Sequence, residues 1–209
     1  MKTRKMKLYS IIIAGGLFMV SCGNNNSEAN HNTTEHEHHA EAEHDHSNHE
    51  HGGEATEREI SANSGELKGD LTQILNAYFE MNNHLVKDDA SGAQKSGEQL
   101  EQALQSFKAT NLSEEEQKEV NEILESAIEN AQHIAKSEID HQREHLVVLS
   151  VDLKDLIAII GTPTKLYEDY CPMVNNNKGG IWISNKEEIS NPYMGSSMPK
   201  CGKVNRVIE

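Results

Sequence analysis

The sequence predicts a mainly α protein: a four-helix up-down bundle with a small Cys/Met-containing loop-and-strand segment packed on it at the C-terminus. Two observations carry this expectation. Between about residues 65 and 160, apolar side chains return every three or four positions, the spacing of helices that each bury one face. Beyond Gly161 and Pro163 the composition changes, and residues 162–209 hold three of the five tyrosines, the only tryptophan and three of the seven methionines. A segment so short and rich in turn residues is expected to pack on the bundle rather than fold alone.

The chain opens with Lys2, Arg4, Lys5 and Lys7, continues through an apolar run over residues 11–20, and reaches Ser21-Cys22. This is the order of a lipoprotein signal peptide, with cleavage expected before Cys22 and diacylglycerol on its thiol. The run is closer to a dozen residues than to the roughly 20 of a membrane-spanning helix. Residues 1–21 are therefore read as the signal, and the mature protein as anchored to a membrane through lipid on Cys22.

Removing residues 1–21 takes four positive charges and no negative ones from a chain of net charge −15, leaving −19. Such a surface repels nucleic acid and suits cationic partners, of which metal ions are the smallest.

Residues 22–63 follow as a lipidated cysteine and a tether. After Cys22 this stretch has no aromatic or large aliphatic residue except Ile60, so it cannot bury enough apolar surface to offset its ordering entropy. Eight of the twelve histidines lie in it: His31, His36, His38, His39, His44, His46, His49 and His51, interleaved with Glu and Asp. Neutral imidazoles beside carboxylates bind zinc or copper(II), weakly where no geometry is preorganised. A solvated polar linker is the alternative reading.

The bundle is expected over residues 64–161. Its first helix carries Leu67, Leu71, Ile74, Leu75, Tyr78 and Leu85 on one face, and residues 88–92 break it. The second carries Ala93, Leu100, Ala103, Leu104 and Phe107. Ser113 reads as the N-cap of the third, with Glu114, Glu115 and Glu116 in its positive first turn. The stripe of that helix is Val120, Leu124, Ala127, Ile128, Ala131 and Ala135. Ser137 to Asp140 resembles a capping box with Asp in the usual Glu position, and opens a fourth helix with Ile139, Leu146, Leu149, Leu153, Leu156 and Ile160 inward. Asn82 and Gln142 fall among these apolar positions and suggest a polar layer in the core. His141 and His145, spaced i, i+4, could clamp a metal, but they lie off or at the edge of the inward stripe and are expected to be solvated. His84 and His133 are placed on outward faces.

In the C-terminal segment, residues 162–209, Gly179-Gly180 followed by Ile181 to Ser184 suggests a turn and a short strand. Cys171 and Met173, and Met198 and Cys201, form two sulfur pairs. A fold that joined them would offer two thiols and two thioethers, soft donors that select copper(I) or silver(I). The other reading is a Cys171–Cys201 disulfide closing a loop of about 30 residues, worth roughly 3–4 kcal/mol. Both stand. A cysteine nucleophile is disfavoured because the segment has no histidine to activate it.

Over residues 66–209 the chain resembles an uncharacterised-domain family of Bacteroidota, found as small lipoproteins and as a C-terminal extension of periplasmic adaptor proteins in Cus-like heavy-metal efflux systems. The resemblance rests on Tyr170-Cys171-Pro172-Met173, on Gly180 with Trp182-Ile183-Ser184, on Ile189 with Asn191-Pro192-Tyr193, and on Gly195 with Met198 and Cys201-Gly202. Leu85-Val86 with Asp89, and Gln142-Arg143 with Leu149-Ser150, match as helical landmarks; Leu146 and Met194 stand where aromatics are common. The resemblance implies metal handling, copper first, and a metal-efflux adaptor as partner. The expectation is thus a non-enzymatic envelope lipoprotein binding copper(I) or silver(I) through Cys171, Met173, Met198 and Cys201. A disulfide-stapled interaction module without metal in the tail is the alternative.

Overall fold

The computed structural model describes residues 66–209. The signal segment, Cys22 and the histidine tract lie outside the described residues. Four helices come first, α1 (Thr72–Val86), α2 (Ala90–Ser106), α3 (Glu114–Lys136) and α4 (Ile139–Ile160). Each packs on the next, as short connections between amphipathic helices dictate. Strand β1 (Leu166–Cys171), a single turn α5 (Val174–Asn177), β2 (Gly180–Ser184), a 3-10 turn (Gly195–Ser197) and β3 (Lys203–Ile208) complete the chain. The strands form an antiparallel sheet in the order β2-β1-β3. No helix among the described residues is long and apolar enough to cross a membrane.

The mainly helical class is as expected, with local differences that have physical causes. Leu67 precedes α1 and is exposed, whereas Leu71 is buried at the helix start. The break before α2 is shorter than residues 88–92. Asp88 turns the chain with φ 57°, and the Asp89 carboxylate accepts from the Gly92 amide at 2.9 Å, so the helix restarts at Ala90. The capping box of α3 forms as expected: Ser113 accepts from the Glu116 amide while the Glu116 carboxylate accepts from the Ser113 amide. The one expected for α4 does not. Its N-cap is Glu138, without a side-chain bond, and the Ser137 carbonyl instead accepts from Gln94 and Gln142.

The buried face of α3 also differs from the expected stripe. Asn130 and Ile134 are inside, whereas Leu124, Ile128 and Ala135 are only half-buried. Asn82 and Gln142 are both buried, but no hydrogen bond joins them. The Gln142 amide nitrogen lies 2.9–3.2 Å from the carbonyls of Ala90, Ile134 and Ser137, closing the end of α3 against the start of α2.

Two of the three strands were not expected. β1 contains Glu168 and Asp169, charges that weaken a strand signal, yet both are buried. β2 is an edge strand whose outer backbone groups would be orphaned against the bundle. Tyrosine hydroxyls take them. Tyr78 of α1 accepts from the Ile183 amide at 3.3 Å, and Tyr193 donates to the Ile181 carbonyl at 2.5 Å. Both hydroxyls also meet Ser150 of α4, at 2.7 and 3.1 Å.

Arg143 joins three segments. Its guanidinium donates to the Pro192 carbonyl at 3.0 Å, the Leu85 carbonyl at 2.9 Å and the Asp88 carboxylate at 2.5 Å. The Ser196 hydroxyl, followed by Arg143, holds the Asp88 carboxyl below the usual range. Gly195 passes so close that a Cβ there would lie 2.0 Å from Asp88 Oδ1 and 2.2 Å from Arg143 Nη2, and its φ of 54° favours glycine. An ammonium cannot reproduce this fork, so Arg143→Lys is expected to cost about 1–2 kcal/mol, read from denaturant midpoints. An unchanged midpoint would remove the guanidinium from the account.

Candidate metal centres

Cys171 ends β1 and is fully buried, and Pro172-Met173 leads into α5. Three consecutive asparagines there, Asn175, Asn176 and Asn177, have φ of 52–64°. Asparagine tolerates this left-handed region better than other non-glycine residues. The turn is closed by the Gly179 amide donating to the Val174 carbonyl at 3.0 Å. It returns the chain into β2, where Gly180 pairs with Cys171.

Cys201 reaches the same place from the other side. Asn191 is fully buried; its amide nitrogen donates to the Cys201 carbonyl at 2.7 Å, and its Oδ1 accepts from the Tyr193 and Met194 amides at 2.9 and 3.0 Å. The Asn-Pro-Tyr turn therefore fixes the Cys201 backbone from one end and the edge of β2 from the other. Gly202, at φ 134°, lets the chain leave past Trp182 and the Tyr170 carbonyl, each 2.9 Å from where a Cβ would stand.

Cys171 and Cys201 are free cysteines, close enough that the Cys171 thiol is the largest influence on the titration of Cys201. The Cys201 Sγ lies 3.8 Å from the Met173 Sδ. Three of the four expected sulfurs, from segments about 30 residues apart, thus share one spot. Met198 is placed differently. Its carbonyl accepts from the Cys201 amide at 3.1 Å, and among the described residues its sulfur makes no hydrogen-bonded contact of the kind that joins Met173 to Cys201, although Met173 is the more exposed of the two. The neighbouring Cys171 thiol, then burial, pushes the Cys201 thiol up to about 11. It is a protonated thiol at neutral pH, and a metal would have to displace that proton. Two thiols and a thioether fit a soft monovalent cation and fit hard cations poorly.

A second group of donors lies between α3 and α4. His133, His141 and His145 each offer a ring nitrogen within 4.8 Å of the others, and all three are half-buried. This corrects the placement of His133 on an outward face and of His141 and His145 as a solvated pair. With Asn130 and Ile134 turned into the core, His133 comes round toward α4, and its ring stacks on His145 at 4.2 Å. The pairing across two helices could not be read from i, i+4 spacing within one.

The remaining titratable groups of interest are internal. Burial raises Asp152 of α4 to about 7, against the Ser126 hydroxyl, which donates to it at 2.9 Å. Asp169 is fully buried, and burial likewise raises it to about 7; neither of its oxygens has a hydrogen-bond partner among the described residues. The expected metal ligands His36, His38, His39, His44, His46, His49 and His51, with Cys22, fall outside the described residues.

No curated protein and no solved structure matches the chain. The match that is found ends before β1, so Cys171, Met173, Met198 and Cys201 lie beyond it. Over residues 74–165, from α1 through α4, the chain is similar to an uncharacterised-domain family described as "Protein of unknown function (DUF3347)".

Proposed function

We propose that this chain is a non-enzymatic envelope lipoprotein that binds copper(I) or silver(I) and acts as a metal buffer or as an accessory to metal efflux. The observation that carries the reading is the meeting of the Cys171, Cys201 and Met173 sulfurs. Soft donors of this kind stabilise a soft monovalent ion and discriminate against abundant hard cations. The signal-like N-terminus and Cys22 support lipid anchoring, and the tether histidines would collect zinc or copper(II) with low selectivity. A metal-efflux adaptor is the proposed partner, resting on the resemblance drawn from the tail motifs.

The test is a copper(I) titration of the reduced full chain against a competing chelator, after counting free thiols as isolated. Two free thiols besides that of Cys22 and about one tightly held copper(I) are expected for the sulfur site. Cys201→Ser should abolish the competitive binding, and Met173→Leu should weaken it without changing the fold. The thiol contact also favours a second reading, a disulfide staple on an interaction module. No free thiols besides that of Cys22, and no copper(I) retained after reduction, would leave that module and sink the metal site.

A further inference from the structure

We infer that His133, His141 and His145 form a second metal site, for a borderline divalent ion of the zinc(II) kind. It uses other residues and another class of ion than the sulfur site, so either can fail alone.

The hydrogen bonds around the trio determine which ring nitrogens are available. The Asn130 amide nitrogen donates to the Ser126 carbonyl at 2.9 Å, which turns its Oδ1 toward His145 Nδ1, 2.9 Å away. An amide oxygen only accepts, so that ring nitrogen carries the proton. The Glu144 carboxylate sits 2.8 Å from His141 Nδ1 and assigns its proton in the same way. In the neutral rings the basic nitrogens are therefore both Nε2, and these face each other at 3.1 Å. Two lone pairs at that distance repel unless a proton or a cation lies between them. A tetrahedral zinc ion with bonds of about 2.0–2.1 Å holds two nitrogens roughly 3.3 Å apart, close to the observed gap.

Imidazole nitrogen is a borderline donor, suited to zinc(II) and its neighbours rather than to copper(I) thiolate chemistry. Asn130 and Glu144 supply the outer hydrogen bonds that orient metal-binding histidines and raise their basicity. His133 is the looser ligand. Its ring is stacked on His145 with 8° between planes, so it must swing out of the stack to aim its lone pair at the ion. The trio is half-buried, which leaves an approach from solvent and a fourth position for water.

The test is a zinc(II) titration of the full chain against a chromophoric chelator, repeated for His145→Gln and His133→Phe. The phenyl ring keeps the stack on His145 and removes both ring nitrogens, so a purely structural role for the ring would survive it. Cobalt(II) provides a second readout, because an all-nitrogen site gives ligand-field bands without the thiolate charge-transfer band of a sulfur site. Wild type should retain one competed zinc equivalent that both variants lose, with apo melting temperatures matched for His133→Phe. Asn130→Ala should weaken that equivalent about ten- to a hundredfold, as loss of an outer-shell bond does. Equal retention in wild type and both histidine variants, or no retained zinc in wild type, would overturn the proposal.

Discussion

Raising the pH from about 5 to about 8.5 should lower the unfolding free energy by several kcal/mol, through two buried aspartates whose protons the folded state keeps. Asp152 and Asp169 are each raised from 3.8 to about 7, burial being the largest cause in both. A folded-state value above the unfolded one means that the native chain holds the proton longer. The stabilisation is complete below the unfolded value and is lost as the pH climbs through about 7. Over that window each group contributes about 3 kcal/mol, at 1.36 kcal/mol per unit. The exposed carboxylates held low, among them Asp88, Asp89 and Glu116, act in the opposite direction and at lower pH, outside this window. Urea titrations of wild type and Asp169→Asn across the range separate the contributions. The variant should match wild type only below about pH 4, exceed it modestly near pH 5 and by more near pH 8.5, and show about half the slope between them. A variant weaker than wild type at both ends would mean that Asp169 is ionised and paired in the folded protein.

The second large effect is expected at the hydroxyl hub between bundle and sheet. Tyr78, Ser150 and Tyr193 lie within 3.1 Å of one another along the chain of contacts, and their outer bonds satisfy the Ile183 amide and the Ile181 carbonyl. Removing either phenol hydroxyl leaves a buried backbone group of β2 without its partner, at about 1–3 kcal/mol. Tyr78→Phe and Tyr193→Phe should each show a loss in that range by denaturant titration, and the double variant about 2–4 kcal/mol. Because both hydroxyls meet Ser150, the double loss should differ from the sum of the singles. Strict additivity would show that Ser150 does not couple them.

The helical part of the chain was legible because its signals are local. The 3.6-residue return of Leu, Ile and Ala, the Ser113 cap with Glu116, and the stop at Gly161 all act within one helix. The sheet was less legible. β1 places Glu168 and Asp169 in the interior, so its composition opposes the strand it forms, and only pairing on both sides overrides this. β3 half-buries Val204 and Arg206 and buries Ile208 in alternation, but Arg206 on the inward side and Val207 on the outward side break the apolar alternation that would have marked a strand within the loop-and-strand segment. The sulfur residues were legible by type, since two Cys/Met pairs are visible in the linear order. The reason they meet was not, because it lies in Asn191, in the left-handed asparagine turn and in the bare backbone at Gly202.

By itself the sequence determined four amphipathic helices, an acidic surface, a signal-like N-terminus and the soft donors of the tail, because each follows from spacing or composition within a few dozen residues. Only the tertiary structure decided which donors become neighbours. It brings Cys171 at the end of β1 near Cys201, which precedes β3, and it rotates α3 so that Asn130 is buried and His133 reaches His141 and His145. The physical reason is that helix periodicity specifies a buried face only to within a residue or so. The final rotation is set by how neighbouring helices fill the core and where their buried polar groups find partners.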